Sequence, residues 1–168
     1  MNNYLFVDIE TTGLDHTINC ILEISMYKVT DDFTPLSSRH FILKPINTAV
    51  SDDFCVKMHT ENGLFQDCNL YGMELLDVNA NILEFLGDRN GWIPAGNSVH
   101  FDRRFLEFYF PALRTKFHYR NLDLTCCKLL FNRKILLPYG DKLHRSEPDV
   151  LNSIYMARHY YSLLGKLQ

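Results

Sequence analysis

The chain comprises 168 residues, 46% apolar and 22% charged, a composition that excludes disorder, collagen-like repeats and low complexity. A chain of this size forms one domain, 1–168, and buries about 70% of its unfolded surface, so no disulfide or structural metal is needed to complete a core. The net charge of −3 hides an asymmetry, because residues 101–145 carry a local excess of +6 and the remainder is −9. A basic third beside acidic flanks can attract a phosphate whose charge is shared between arginines and carboxylate-bound cations.

No apolar run approaches the roughly 20 residues of a membrane span, and Asp8 cuts the apolar opening, so neither a membrane segment nor a signal peptide is expected. The five cysteines, Cys20, Cys55, Cys68, Cys126 and Cys127, are odd in number and lack Cys-x-x-Cys spacing. Reduced thiols and a cytoplasmic location are the expectation.

Tyr4 to Ile9 reads as a buried strand interrupted by Asp8, turned by Thr11-Thr12-Gly13. Cys20 to Val29 alternates, with Leu22, Ile24 and Met26 on one face and Glu23, Ser25 and Tyr27 on the other, and predicts a second strand. Arg39 to Leu43 predicts a third, after a turn at Asp31-Asp32 and Pro35. Apolar residues from Leu70 to Leu86 recur at a helical period that Gly87 ends. Trp92 to Ala95 predicts a fourth strand and Gly96-Asn97-Ser98 a loop. Val99 to Phe110 predicts a helix stopped by Pro111, His118 to Leu122 a fifth strand, and Leu124 to Phe131 and Asp149 to Leu164 two closing helices. Three strands followed by alternating helices and strands predict an α/β domain with a mixed five-stranded sheet flanked by helices.

The chemistry concentrates in four acids. Residues two apart on a strand project to the same side with Cα atoms about 6.5 to 7 Å apart, so Asp8 and Glu10 can converge. Two such carboxylates repel unless a cation lies between them, and Mg²⁺ or Mn²⁺ prefers oxygen ligands of this kind. Asp102 falls at a helix start, where it could equally complement the dipole. Asp149 closes Ser146-Glu147-Pro148-Asp149, which also reads as a capping box. His144 stands five residues before Asp149 in a polar loop.

Together, Asp-x-Glu on the first strand, an Asp at a later helix start and His-x-x-x-x-Asp near the end resemble the histidine-containing branch of the DEDD 3′ to 5′ exonucleases. Gly96-Asn97-Ser98-Val99-His100-Phe101-Asp102-Arg103-Arg104-Phe105-Leu106, Phe117-His118-Tyr119-Arg120-Asn121-Leu122-Asp123, Asp52-Asp53-Phe54, Met58-His59-Thr60 and Gly63-Leu64 closely resemble the oligoribonuclease family within it. The resemblance runs from about Tyr4 to Tyr161. It implies a ribonuclease H-like fold and a hydrolase that removes nucleoside 5′-monophosphates from the 3′ end of short single-stranded RNA, down to dinucleotides.

By that resemblance Asp8, Glu10, Asp102 and Asp149 hold two divalent cations, Mg²⁺ or Mn²⁺, which stabilise the attacking and leaving oxygens of an in-line displacement. His144 is the implied general base, since an imidazole can take up a proton at neutral pH where lysine and arginine stay charged. Leu14 and Phe54 resemble the wedge that stacks terminal bases. Asn97, Ser98 and Thr125 resemble contacts to the 5′ phosphate or sugar, and His59 a neighbouring polar contact. Tyr119 and Arg120 resemble residues that reach the partner's active site in a homodimer.

Three departures stand out. Thr11 replaces the usual methionine, Phe54 the usual tryptophan, and the link from Asn132 to Leu143, which leads to His144, is short for the family. The alternatives are a DNA 3′-end trimming or proofreading exonuclease and a binding module that kept the fold without turnover.

Overall fold

The structure is a computed structural model that describes residues 3–46, 50–130 and 144–165; the link from 132 to 143 lies outside them. The expected antiparallel meander is formed by β1 (Tyr4–Thr11), β2 (Ile21–Val29) and β3 (Pro35–Ile42). β4 (Ile93–Gly96) pairs parallel with the other edge of β1, and β5 (Leu122–Asp123) pairs parallel with β4. The result is a mixed five-stranded sheet in the order β3-β2-β1-β4-β5. Among the described residues the helices are α1 (Asp53–Glu61), α2 (Leu64–Tyr71), α3 (Leu75–Leu86), α4 (His100–Tyr109), α5 (Leu113–Lys116), α6 (Leu124–Leu130) and α7 (Ser146–Gly165).

Because strand side chains alternate, β1 serves two cores. Leu5, Val7 and Ile9 pack with Val78, Ile82, Phe105 and Leu106 of α3 and α4. Phe6 points the other way, into a layer with Val150, Ile154 and Ala157 of α7. Asp8 and Glu10 continue the Phe6 face, so the strand's own period carries both acids to the α7 side. The polar face read on β2 has a matching use. Ser25 Oγ lies 2.8 Å from Ser146 Oγ, and the Tyr27 hydroxyl donates to Glu147 Oε1 at 2.8 Å. Each fastens the first turn of α7 to the sheet.

Four expectations need correction. The helix predicted from Leu70 to Leu86 is split, because Gly72 crosses the chain so closely that a Cβ there would lie 2.3 Å from the Cys68 carbonyl and 2.8 Å from the Lys44 nitrogen. α2 ends there, Met73 bridges to Leu43, and α3 starts afresh. The fifth strand is two residues at Leu122–Asp123 and does not begin at His118. Backbone pairing there is an isolated parallel bridge between Trp92 and Phe117, and beyond it Arg103 Nη1 donates to the His118 carbonyl and to Asn121 Oδ1, both at 2.8 Å. α1 has no counterpart in the strand and helix assignment: it buries only Cys55 and His59, one turn apart, too little for a periodic signal. Finally, Ser146 does not close a capping box. It is already helical, its hydroxyl faces Ser25 and its N–H goes to Glu23 Oε2 at 2.7 Å. Pro148 is tolerated because it lies in the first turn, where no intrahelical N–H partner is required.

Candidate active site

β1 delivers Asp8 and Glu10 at the end of a buried apolar run, and the first turn of α7 delivers Asp149 across from them. One carboxylate oxygen from each of these three lies within 4.8 Å of the others. An all-oxygen donor set of this charge suits a hard divalent cation. Asp102, in the first turn of α4, is 4% exposed, and its Oδ1 accepts the Ile9 N–H at 3.0 Å. That bond ties α4 to the strand segment between the two β1 acids. The dipole reading of Asp102 misses it because the partner is 93 residues away.

Asp8, Glu10, Asp102, Asp149 and His144 all line one cavity of about 500 Å³. Leu14 and Phe54 line it too, at 79% and 68% exposure, which places both outside the core and open to a ligand. The loop carrying Leu14 is set by Gly13, where a Cβ would meet the Asn19 side chain at 2.6 Å. Phe54 stands at the start of α1, whose N-cap Asp52 accepts the Phe54 N–H at 2.8 Å. Asp52, Cys55, Met58 and Phe101 also line the cavity and were not anticipated. The capping pattern at Asp52 and the i, i+4 step from Phe54 to Met58 are the signals that could have found the α1 members.

Asn97 and Ser98 line the same cavity. Asn97 Nδ2 donates to Ser153 Oγ of α7 at 2.6 Å. Ser98 adopts the left-handed conformation, φ 52°, and its N–H donates to Asp123 Oδ1 and Thr125 Oγ1 at 3.0 and 2.9 Å. Thr125 does not itself line the cavity; it contacts Ser98, which does. His59 is placed differently from expectation. It is wholly buried, its Nε2 donates to the Thr11 carbonyl at 3.1 Å, and the same nitrogen is 3.7 Å from Glu10 Oε2. The side chain is shut away beside Glu10 and is not among the residues that line the cavity. Burial also depresses the His59 pKa, which favours the neutral ring. Tyr119, 74% exposed, and Arg120, its guanidinium 5.0 Å from the Tyr119 ring, stand outside the cavity.

Behind His144 lies a charge cluster that the sequence did not advertise. Glu23, 1% exposed, receives Arg145 Nη2 and Nε on Oε1 at 2.8 and 3.0 Å, His40 Nε2 on the same oxygen at 2.9 Å, and the Ser146 N–H on Oε2. Burial alone would raise the Glu23 pKa; hydrogen bonds from His40, Arg145 and Ser146 outweigh it and hold the carboxyl at about 2. Arg145 Nη1 reaches Asp67 Oδ2 on α2 at 2.9 Å.

The family model described as Exonuclease (RNase_T) matches residues 5–157. The chain is 33% identical to the oligoribonuclease of Alkalilimnicola ehrlichii over 173 residues, covering 95% of this chain and 88% of that protein. It is 32% identical to the oligoribonuclease of Salmonella typhimurium over 179 residues, covering 99% and 97%. Among solved structures, E. coli exonuclease I in complex with a dT13 oligonucleotide superposes with a TM-score of 0.75 at 18% identity. That match covers 99% of this chain and 42% of the other, and at this identity it speaks for the fold alone.

Proposed function

The chain belongs to the Exonuclease (RNase_T) family, and we propose that it is a 3′ to 5′ exoribonuclease that hydrolyses short RNA oligonucleotides to nucleoside 5′-monophosphates. The observation that carries this reading is the meeting of Asp8, Glu10 and Asp149 within 4.8 Å, in a cavity that Asp102 and His144 also line. The names of its relatives support the choice of short RNA as substrate. The whole chain, 1–168, is read as one exonuclease domain.

Asp8, Glu10, Asp102 and Asp149 would hold two divalent cations, Mg²⁺ or Mn²⁺. Bound there, such ions supply neutralisation of the phosphate and stabilisation of both oxygens of an in-line displacement. The chain's own groups do the rest. Leu14 and Phe54, open at the mouth, stack the terminal bases, a grip that tolerates any sequence because every base has a π-face. Asn97, Ser98 and Thr125 receive the 5′ phosphate or sugar of a substrate only a few nucleotides long. His144 accepts the proton of the attacking water, and a general base in that role contributes about 10²- to 10⁴-fold. His59, buried and bonded to the Thr11 carbonyl, is assigned no substrate contact.

Tyr119 and Arg120 are exposed and line no part of their own cavity, which supports a homodimer in which they reach the partner's site and limit substrate length. Among the described residues no helix is long and apolar enough to cross a membrane. Five free thiols support a cytoplasmic location.

The test is turnover of a labelled RNA dinucleotide against a 20-nucleotide RNA and a matched DNA, with Mg²⁺ and with Mn²⁺. Faster cleavage of the dinucleotide, with release of 5′-monophosphate, is expected; equal or better cleavage of the long RNA defeats the size preference, and activity confined to DNA defeats the substrate class. Asp8→Ala is expected to reduce turnover to background at every metal concentration, because a cation ligand is gone. Retained activity would make Asp8 a strand residue only.

A further inference from the structure

His144 has φ 48°, a left-handed backbone that a non-glycine residue rarely adopts and keeps only where its surroundings fix it from several directions. The fixing contacts fall on the residue itself and on the two that follow. The His144 carbonyl accepts Asn62 Nδ2 at 2.7 Å, from the end of α1. Arg145 spans two carboxylates on two different elements, Glu23 on β2 and Asp67 on α2. Ser146 gives its N–H to the same Glu23 and meets Ser25 through its hydroxyl.

We propose that Arg145, clamped between Glu23 and Asp67, is a positioning residue for His144: it fixes the backbone from which the imidazole enters the cavity, and so sets turnover without setting affinity for cations or substrate. The inference rests on the reading of His144 as the base, and it goes beyond that reading by assigning work to three residues that line no part of the cavity.

The geometry requires arginine in particular. Nε and Nη2 share one oxygen of Glu23 while Nη1 serves Asp67, so three nitrogens of one planar group are used in two directions. A lysine ammonium keeps the charge but has no rigid fork to span both acids. Asp149 has separate support. It sits one residue before Val150, which is wholly buried, and the turn that carries it keeps the Ser146 contacts to Glu23 and Ser25 whatever stands at 145. The clamp therefore governs the base more than the acids.

The experiment compares wild type, Arg145→Met, Arg145→Lys, Asp67→Asn, His144→Ala and the double variant His144→Ala/Arg145→Met on an RNA dinucleotide, with Mn²⁺ binding by calorimetry and urea unfolding on each. Arg145→Met is expected to lower kcat by up to about 10²-fold, the scale of a misplacement near 1 Å, with KM and Mn²⁺ affinity within about threefold of wild type. Arg145→Lys should lose at least about tenfold, since charge without the fork does not restore the geometry. Asp67→Asn, which leaves the Glu23 pair in place and keeps the test open should Arg145→Met not fold, should lose kcat by a smaller factor with KM unchanged. The double variant should turn over within about twofold of His144→Ala, because positioning a base that is absent costs nothing further.

Loss in the double variant equal to the product of the single losses, Mn²⁺ affinity falling together with kcat, or wild-type turnover in Arg145→Lys would each overturn the proposal. Full activity in Arg145→Met beside a crippled His144→Ala would reject the clamp and leave the base in place. Full activity in His144→Ala would reject the base, and the clamp with it.

Discussion

At the scale of single residues, exposure and burial separate substrate grip from stability. Phe54 is 68% exposed, so truncating it should leave unfolding within about 0.5 kcal/mol of wild type. Phe54→Ala is expected to weaken substrate binding by the stacking of one base, about 1 to 3 kcal/mol, read as KM for a dinucleotide rising with little change in urea midpoint. Phe54→Trp, which restores the usual family residue, should lower KM. Glu23 is the opposite case. Its folded pKa of about 2 lies below the ordinary 4.5, so the folded state favours the carboxylate. The stability this supplies is full above pH 4.5 and is lost as pH falls toward 2. The amount is roughly 3 kcal/mol. Urea unfolding from pH 7 to pH 2 should show that loss in wild type, and Glu23→Gln should flatten it; equal slopes in the two proteins would deny Glu23 the role.

At the scale of elements, what decides is where helices are allowed to stop. Gly72 has φ −59°, a conformation open to any residue, so its requirement is steric and lies wholly in the close crossing with Cys68 and Lys44. Gly72→Ala is expected to cost about 1 to 3 kcal/mol, the range for overpacking against backbone that cannot retreat, measured as a lower urea midpoint. Gly63, at φ 78° with nothing within 4 Å of a Cβ, is a control in which strain acts without crowding. α7 makes the complementary point. The β2 residues Glu23, Ser25 and Tyr27 hold residues 145–147, so the helix begins where the sheet binds it, three residues earlier than its own apolar pattern indicates.

At the scale of the whole molecule, one chain supplies a cluster of three carboxylates and two exposed groups with no place in its own cavity. If Tyr119 and Arg120 close the partner's site, mixed dimers of Tyr119→Ala and Asp8→Ala chains contain one protomer with intact acids facing an intact Tyr119. Such mixtures are expected to recover up to about a quarter of wild-type activity, the share left when two chain types pair at random into symmetric dimers with one working site in half of them. Heterodimers demonstrated by mass with no recovered activity would reject a shared site.

The acids, the strand alternation and the apolar helix faces were legible in the sequence because each depends on neighbours within a few positions. A period of two puts Asp8 and Glu10 on one face wherever that strand lies, and the order of strands and helices is enough to predict a mixed sheet. The burial of His59 behind Glu10, the bond from Ile9 to Asp102, the split at Gly72 and the Glu23–Arg145–Asp67 cluster were not legible. Each joins segments distant along the chain, and local pattern carries no information about which distant backbone will approach. Chemical character was therefore written in short-range order, and the assignment of groups to contact, support or restraint was made only when packing chose their neighbours.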